Sequence, residues 1–160
     1  MSAVLQSLPL TFAALVEADL VPLMAIERFA YAHPWTLGNF ADSLNAGYVC
    51  RGLWQARVLI GYSVVMPGVD EAHLLNVTVA PRVQRQGFGR MLLDDVIVTA
   101  RGLQAARLLL EVRPSNLSAQ ALYVAYGFTQ VGRRVQYYPA AQGKREDALV
   151  FALNLAQVAA

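Results

Sequence analysis

One stretch limits the possible folds of this chain more than any other: an apolar run closed by proline, two glycines one residue apart among arginines, and then a helical pattern. Leu74 to Val79 is apolar and rich in β-branched residues, which reads as a buried strand. Pro81 ends it by removing a donor and fixing φ. Gln84-Arg85-Gln86-Gly87-Phe88-Gly89-Arg90 follows. Met91 to Val98 then carries helix periodicity, with its polar residues confined to Asp94 and Asp95. The order is strand, glycine turn, helix.

Such an order suits an anion. The first N–H groups of a helix lack intrahelical partners, and the macrodipole makes that end partly positive. Gly87 and Gly89 have no Cβ, so a phosphate can approach the backbone, and Arg85 and Arg90 add charge beside it. The same residues also suit a plain turn that needs positive φ, with its arginines in solvent. The third glycine of GxGxxG and the Gly-Lys-Ser/Thr of a Walker loop are both missing.

The 160 residues suffice for one domain with its own core, and the reading takes 1–160 as that single domain. Hydrophobic residues make up 56% and charged residues 15%, a globular composition and not a disordered one. A net charge of +2 gives no argument for nucleic acid. Mean hydropathy is positive, yet no apolar run approaches the ~18 residues of a spanning helix. The N-terminus lacks a basic flank and carries Glu17 and Asp19, which argues against a secretion signal. Cys50 is the only cysteine, so no internal disulfide forms, and a cytoplasmic location fits.

Taken in order, Leu8 to Ala14 reads as a strand and Ala18 to Ala30 as a helix with apolar Leu20, Leu23, Met24 and Ile26. Pro34 breaks the chain, and Thr36 is an N-cap candidate for a helix from Leu37 to Leu44. His33 has no second ligand at metal spacing and reads as a loop residue. Trp35 reads as packing or as the wall of a pocket. Gly47 to Ala56 and Val58 to Met66 form a strand pair turning near Arg57, and Pro67 to Asp70 is a turn. Glu71 to Val79 is the next strand. The helix after the glycine loop ends at Gly102, taken as its C-cap. Arg107 to Val112 is a continuous apolar run suited to mid-sheet. Ser115 or Asn116 caps a helix through Tyr126, with Gly127 behind it. Phe128 to Tyr138 and Ala148 to Leu155 are the last strands, with Ala141 to Asp147 as the hairpin loop. The order is β-α-α-β-β-β-α-β-α-β-β, an α/β sandwich with a mixed sheet.

Glu111 lies inside the apolar run Leu108 to Val112. A carboxylate there is costly unless paired or functional. Burial raises a carboxylate's pKa and suits it to general-base work. The alternative is a salt bridge, to Arg113 or Arg107. Tyr123 can donate a proton to a leaving group, or can be a core tyrosine on its helix. Cys50 has no paired His and is not read as a nucleophile.

The loop Arg85-Gln86-Gly87-Phe88-Gly89, preceded by Gln84, matches Q/R-x-x-G-x-G/A. It resembles the acetyl-CoA pyrophosphate loop of the GNAT superfamily of N-acetyltransferases. Leu110-Glu111-Val112-Arg113-Pro114-Ser115-Asn116, then Ala121-Leu122-Tyr123 and Tyr126-Gly127-Phe128, narrow the likeness. They resemble the L-E-V-R-x-S-N…A-L-Y…G-F pattern of bacterial ribosomal-protein-alanine N-acetyltransferases, the RimI family. Phe29 to Trp35, Asn76 to Val79, Arg134 to Pro139 and Arg145 to Ala148 also resemble its segments. The likeness is dense from Asn76 to Leu153 and sparse before Tyr31. Thr78 and Pro114 stand where the family commonly has alanine.

The resemblance implies the GNAT fold, a mixed, mostly antiparallel sheet of about seven strands flanked by about four helices. It implies acetyl-CoA as co-substrate, with no metal and no covalent enzyme intermediate. Backbone groups of Val77, Thr78 and Val79 would pair with the pantetheine arm. Arg85, Gln86, Gly87, Phe88, Gly89 and Arg90 would hold the pyrophosphate, and Asn116 would touch the cofactor. Glu111 is expected as general base through water, and Tyr123 as the acid for the CoA thiolate. Trp35, Tyr137 and Tyr138 would bind the acceptor, the N-terminus of a ribosomal protein beginning with alanine. Ring faces and carbonyls of that hairpin would fix the first acceptor residues. Neither nucleic acid nor a membrane is expected as a direct partner. A relaxed N-terminal or lysine acetyltransferase and a CoA-binding module without turnover are the alternatives. The presence of both Glu111 and Tyr123 speaks against the module.

Overall fold

A computed structural model describes residues 8–155. Residues 1–7, which begin the segment read for a secretion signal, and residues 156–160 lie outside the described residues, so the domain span 1–160 runs beyond them. The elements are β1 (Leu10–Ala14), α1 (Leu20–Ala30), α2 (Leu37–Asn45), β2 (Val49–Gln55), β3 (Val58–Pro67), β4 (Glu71–Val79), α3 (Phe88–Gly102), β5 (Arg107–Val112), α4 (Leu117–Ala125), β6 (Thr129–Pro139) and β7 (Arg145–Asn154). The seven strands follow the order β1-β2-β3-β4-β5-β7-β6. β5 runs parallel to β4, and the pairs β1/β2, β5/β7 and β6/β7 are antiparallel. This is the α/β architecture with a mixed sheet that the element order predicts.

The chain divides into two compact units. One holds the chain to Val64 with Asn76–Asp94, and the other holds Val65–Leu75 with the chain from Asp95. In the first unit, Leu20, Leu23 and Met24 on α1 and Phe40 on α2 pack with Cys50, Leu59, Tyr62 and Val64. A second cluster joins Leu53 and Ile60 to Phe88 and Leu92 at the start of α3. Each such apolar side chain, once buried, contributes about 1.5–3 kcal/mol. Cys50 is buried, and burial pushes its thiol pKa up, away from nucleophilic use.

Thr36 caps α2 as its sequence position suggests. Its hydroxyl accepts from Asn39 N at 3.1 Å, and the Asn39 side chain accepts from Thr36 N at 2.9 Å. Ala56 and Arg57 both have positive φ, which makes the tight turn between β2 and β3. α1 begins at Leu20, after a short 3₁₀ turn over Glu17–Asp19 that a helix starting at Ala18 would partly absorb.

In the second unit, β5 lies between β4 and β7, and its Leu108, Leu109, Leu110 and Val112 are buried. Asn116, not Ser115, caps α4, accepting from Ala119 N at 3.2 Å. Gly127 ends that helix at φ +97, a conformation side chains with a Cβ avoid, and Phe128 N donates to Tyr123 O at 3.0 Å. α3 ends at Gly102 as expected, but Gly102 is its last helical residue and not its left-handed cap; Gln104 takes that turn at φ +60. β7 begins at Arg145, so Arg145, Glu146 and Asp147 are strand residues and the hairpin turn is shorter than its polar composition suggests. Among the described residues no helix is long and apolar enough to cross a membrane.

Candidate active site

The first unit carries the glycine loop. Arg85 has φ +64 and Gly87 φ +89, while Gln86 between them stays at negative φ. Alternating hands of this kind turn successive N–H groups to one side and form a concavity for an anion. Gly87 O accepts from Met91 N at 3.2 Å, which makes Gly87 the entry to α3. The N–H groups of the first helical turn, from Phe88, Gly89 and Arg90, therefore lie where intrahelical partners are lacking. Phe88 is buried and fixes the helix start in the core, while Gln84 to Gly87 remain exposed. The Gln84 side chain donates to Val79 O at 3.1 Å and ties the loop back to β4.

β4 pairs with β5 over Glu71 to Leu74 among the described residues. Ala80 N donates to Ile60 O at 2.8 Å, so by strand alternation the N–H groups of Val77 and Val79 turn away from β3. That edge is where an added strand-like ligand would pair. Thr78 is only 4% exposed. Its hydroxyl donates to Asn76 Oδ1 at 2.7 Å and meets Tyr31 Oη at 2.7 Å. Trp35 packs its ring on Phe40, centroids 5.0 Å apart, and its backbone N–H donates to Glu27 Oε2 at 2.9 Å. The preceding His33 is an exposed loop residue, as read.

The second unit gathers Glu111, Tyr137 and Tyr138. Glu111 does not sit as an unpartnered carboxylate in an apolar strand: its side chain is 23% exposed, and its Oε1 lies 3.2 Å from Arg134 Nε. The expected partners are engaged elsewhere, Arg107 with Glu71 and Arg113 with Glu146. Strand spacing could not supply Arg134, because it comes from β6, two strands away in the sheet order.

A bulge in β6 creates this grouping. Arg134 pairs with Ala148 and Tyr138 with Glu146, so residues 135–137 stand opposite the single Asp147. Gln136 takes φ +51 there. Its N–H donates to Asp147 Oδ1 at 2.8 Å, and its carbonyl accepts from Arg145 Nε at 2.8 Å. Tyr137 O accepts from Arg145 Nη2 at 2.7 Å, and Pro139 O accepts from Arg113 Nη1 at 2.9 Å. Each of these carbonyls spends one lone pair on the hairpin's own shape and keeps a second. Tyr137 and Tyr138 meet edge to face at 5.0 Å, Arg134 lies over the first and Arg113 over the second.

Burial first, and then the Glu111 charge, push both phenols above the usual tyrosine range, so they remain protonated donors. The Ser115 hydroxyl and N–H donate to Glu146 at 3.0 and 2.9 Å. With the backbone bond and Arg113, that contact holds the Glu146 carboxyl below its usual range. Asp147 is held low by the Gln136 N–H and Arg133. Asn116 spends its side-chain oxygen on the α4 cap. Tyr123 is the buried residue of α4, with its ring 5.6 Å from Phe128.

Sequence reasoning missed Arg134 and the buried Glu27. The second had a signal: Leu20, Leu23, Met24 and Glu27 share one helical stripe, and a carboxylate on an apolar stripe needs partners.

The mixed seven-stranded sheet and the glycine turn at the entry to α3 match the fold that the sequence resemblance implies. The model of the acetyltransferase (GNAT) family matches residues 20–128, and the chain belongs to that family. It is 39% identical over 145 residues to the [ribosomal protein bS18]-alanine N-acetyltransferase of Escherichia coli strain K12, covering 91% of this chain and 97% of that one. The enzyme of the same name from Haemophilus ducreyi is 38% identical over 143 residues, covering 88% and 97%. The crystal structure of the ribosomal-protein-S18-alanine N-acetyltransferase from Escherichia coli superposes with a TM-score of 0.85 at 38% identity, covering 91% of this chain and 94% of that chain.

Proposed function

We propose that the chain moves the acetyl group of acetyl-CoA onto the α-amine of a ribosomal protein whose first residue is alanine, and that residues 1–160 act as one domain in doing so. The likeness to enzymes named for that reaction, over 91% of this chain and 97% of the relative, carries the proposal. The edge of β4 at Val77 to Val79 would take the pantetheine arm, and the loop from Arg85 to Arg90 the pyrophosphate. Asn116 would contact the cofactor from the start of α4. Tyr137 and Tyr138 would receive the acceptor's first residues, with Trp35 limiting the side chain. The setting would be the cytoplasm, where ribosomal proteins are made.

The chemistry needs little from the protein beyond position. An α-amine has a pKa of about 7.7–8.0, so part of it is neutral at pH 7. Its nitrogen attacks the thioester carbonyl, and the carbon–sulfur bond breaks as the amide forms. Glu111 would accept the proton released from nitrogen, through water. Tyr123 would give one to the departing thiolate. N–H groups on the open edge of β4 would meet the developing oxyanion.

Two peptides test this. One begins with alanine and the other is blocked at its N-terminus but contains lysine, with CoA release as readout. A lysine amine, with a pKa of about 10.4, offers far less neutral nucleophile at pH 7. Acetylation of the first peptide alone is the expected result, and comparable rates on both would replace the N-terminal substrate with a lysine.

A further inference from the structure

Glu27 is 1% exposed, yet it belongs to none of the groups assigned above. A buried carboxylate is tolerated only when its oxygens are filled by donors. Here Oε1 accepts from Tyr62 Oη at 2.6 Å and Asn76 Nδ2 at 3.3 Å, and Oε2 accepts from Trp35 N at 2.9 Å. Trp35 N–H and the Asn76 amide nitrogen can only donate, so both oxygens must accept. Tyr62 is fully buried. Burial and Glu27 together push its phenol far up, so it stays a donor.

The direction set at Glu27 passes outward. Asn76 turns its nitrogen to Glu27, so its oxygen faces Thr78 and accepts that hydroxyl's hydrogen at 2.7 Å. Thr78 has no second hydrogen, so Tyr31 is the donor in the 2.7 Å contact between the two hydroxyls. The Tyr31 hydroxyl has one hydrogen, which is therefore shared between Thr78 and Val77 O, 3.2 Å away on the edge of β4 turned away from β3. Tyr31 is 39% exposed as a residue, yet desolvation at its hydroxyl raises its pKa to about 12. One carboxylate thus orders the loop from Tyr31 to Trp35 and the strand from Asn76 to Thr78.

We propose that Glu27 is a positioning residue for acetyl transfer. Through Trp35 it holds the acceptor loop, and through Asn76, Thr78 and Tyr31 it holds the thioester edge of β4. The inference rests on the acetyltransferase function proposed above. Thr78 and Tyr31 belong to the same device, and alanine at position 78 would break it.

A swap tests it. Glu27→Gln places an amide nitrogen against a donor, and Asn76→Asp places a second carboxylate beside Glu27. Each single change should lower kcat/KM for the alanine-first peptide about ten- to a hundredfold, as expected when reacting groups shift by about an ångström. The double variant restores a donor facing an acceptor, because the new amide at position 27 donates to the new carboxylate at position 76 and Tyr62 turns to accept. Its kcat/KM should return to within about threefold of the parent, the coupling expected of residues in contact, and the single variants' losses should persist at temperatures where circular dichroism shows them fully folded, which a merely structural role would not allow. Folded single variants with parental kinetics overturn the inference, and so does a double variant whose losses simply multiply. If Glu27→Gln does not fold, Thr78→Val decides, because it removes only the hydroxyl; a parental kcat/KM there also overturns the inference. A parent protein inert toward the peptide removes the proposed function and this inference with it, whereas an active parent with unaffected variants removes only the inference.

Discussion

Replacing Glu111 with glutamine separates chemistry from architecture, because the two effects differ in size. The side chain keeps its shape and one acceptor oxygen for Arg134, whose Nε lies 3.2 Å away. What is lost is charge. The Arg134 side chain is 56% exposed, so water screens the pair, and the stability cost is at most about 1 kcal/mol. For a chain of this length that shifts Tm by about 2–4 °C or less. A general base contributes about 10²–10⁴ to rate, or about 2.7–5.5 kcal/mol of barrier. The rate effect therefore exceeds any effect on folding.

The expected outcome is a kcat lowered by about 10²–10⁴ at nearly constant Tm and nearly constant acetyl-CoA affinity by calorimetry. A second signature is independent of rate. Glu111 raises the pKa of Tyr137 and Tyr138 by disfavouring their anions. Removing its charge must move both phenols down toward the ordinary range, without reaching it, because burial remains. Tyrosinate absorbance against pH reads that shift. A folded variant with parental kcat would show that Glu111 only anchors Arg134 and the tyrosines, and that the base lies elsewhere.

Gly89→Val puts a branched side chain in the first turn of α3, beside the N–H groups assigned to the pyrophosphate. Acetyl-CoA affinity should fall by at least about tenfold, or about 1.4 kcal/mol, with the far-ultraviolet spectrum retained; unchanged affinity removes the anion site from this loop. Asp147 and Glu146 have folded pKa values held below their usual range, so they add stability above the ordinary carboxylate range and lose it as pH falls through the folded values. Denaturant midpoints should therefore hold steady down to about pH 5 and fall below about pH 4. In Asp147→Asn the acid decline should be shallower, and an identical profile would show that Asp147 does not hold the β6 bulge through its charge.

Local chemistry wrote most of the fold in the open. Thr36 before Leu37, Asn116 before Leu117 and Gly127 after Tyr126 mark helix ends because caps act on residues three or four positions away. β4 and β5 were legible because their apolar runs are continuous and closed by proline. The glycine loop was legible for the same reason, since its anion chemistry belongs to the backbone of one short segment. Gln104 was not legible as the left-handed turn after α3, because glycine two residues earlier offered a cheaper candidate.

The partner of Glu111 lay beyond any local rule. Arg107 and Arg113 are nearest in sequence, but register sets Arg107 opposite Glu71 on β4, and Arg113, just past the end of β5, pairs with Glu146. Arg134 reaches Glu111 from β6, across the sheet from β5, beside a bulge held by Asp147 and Arg145. Sequence spacing determines which side chains share a face of one element. Which strand lies across the sheet, and where it slips register, is decided by long-range pairing. The same holds for Glu27, whose helical stripe shows that it is buried, while its partners Tyr62 and Asn76 come from β3 and β4 only once those strands pack under α1.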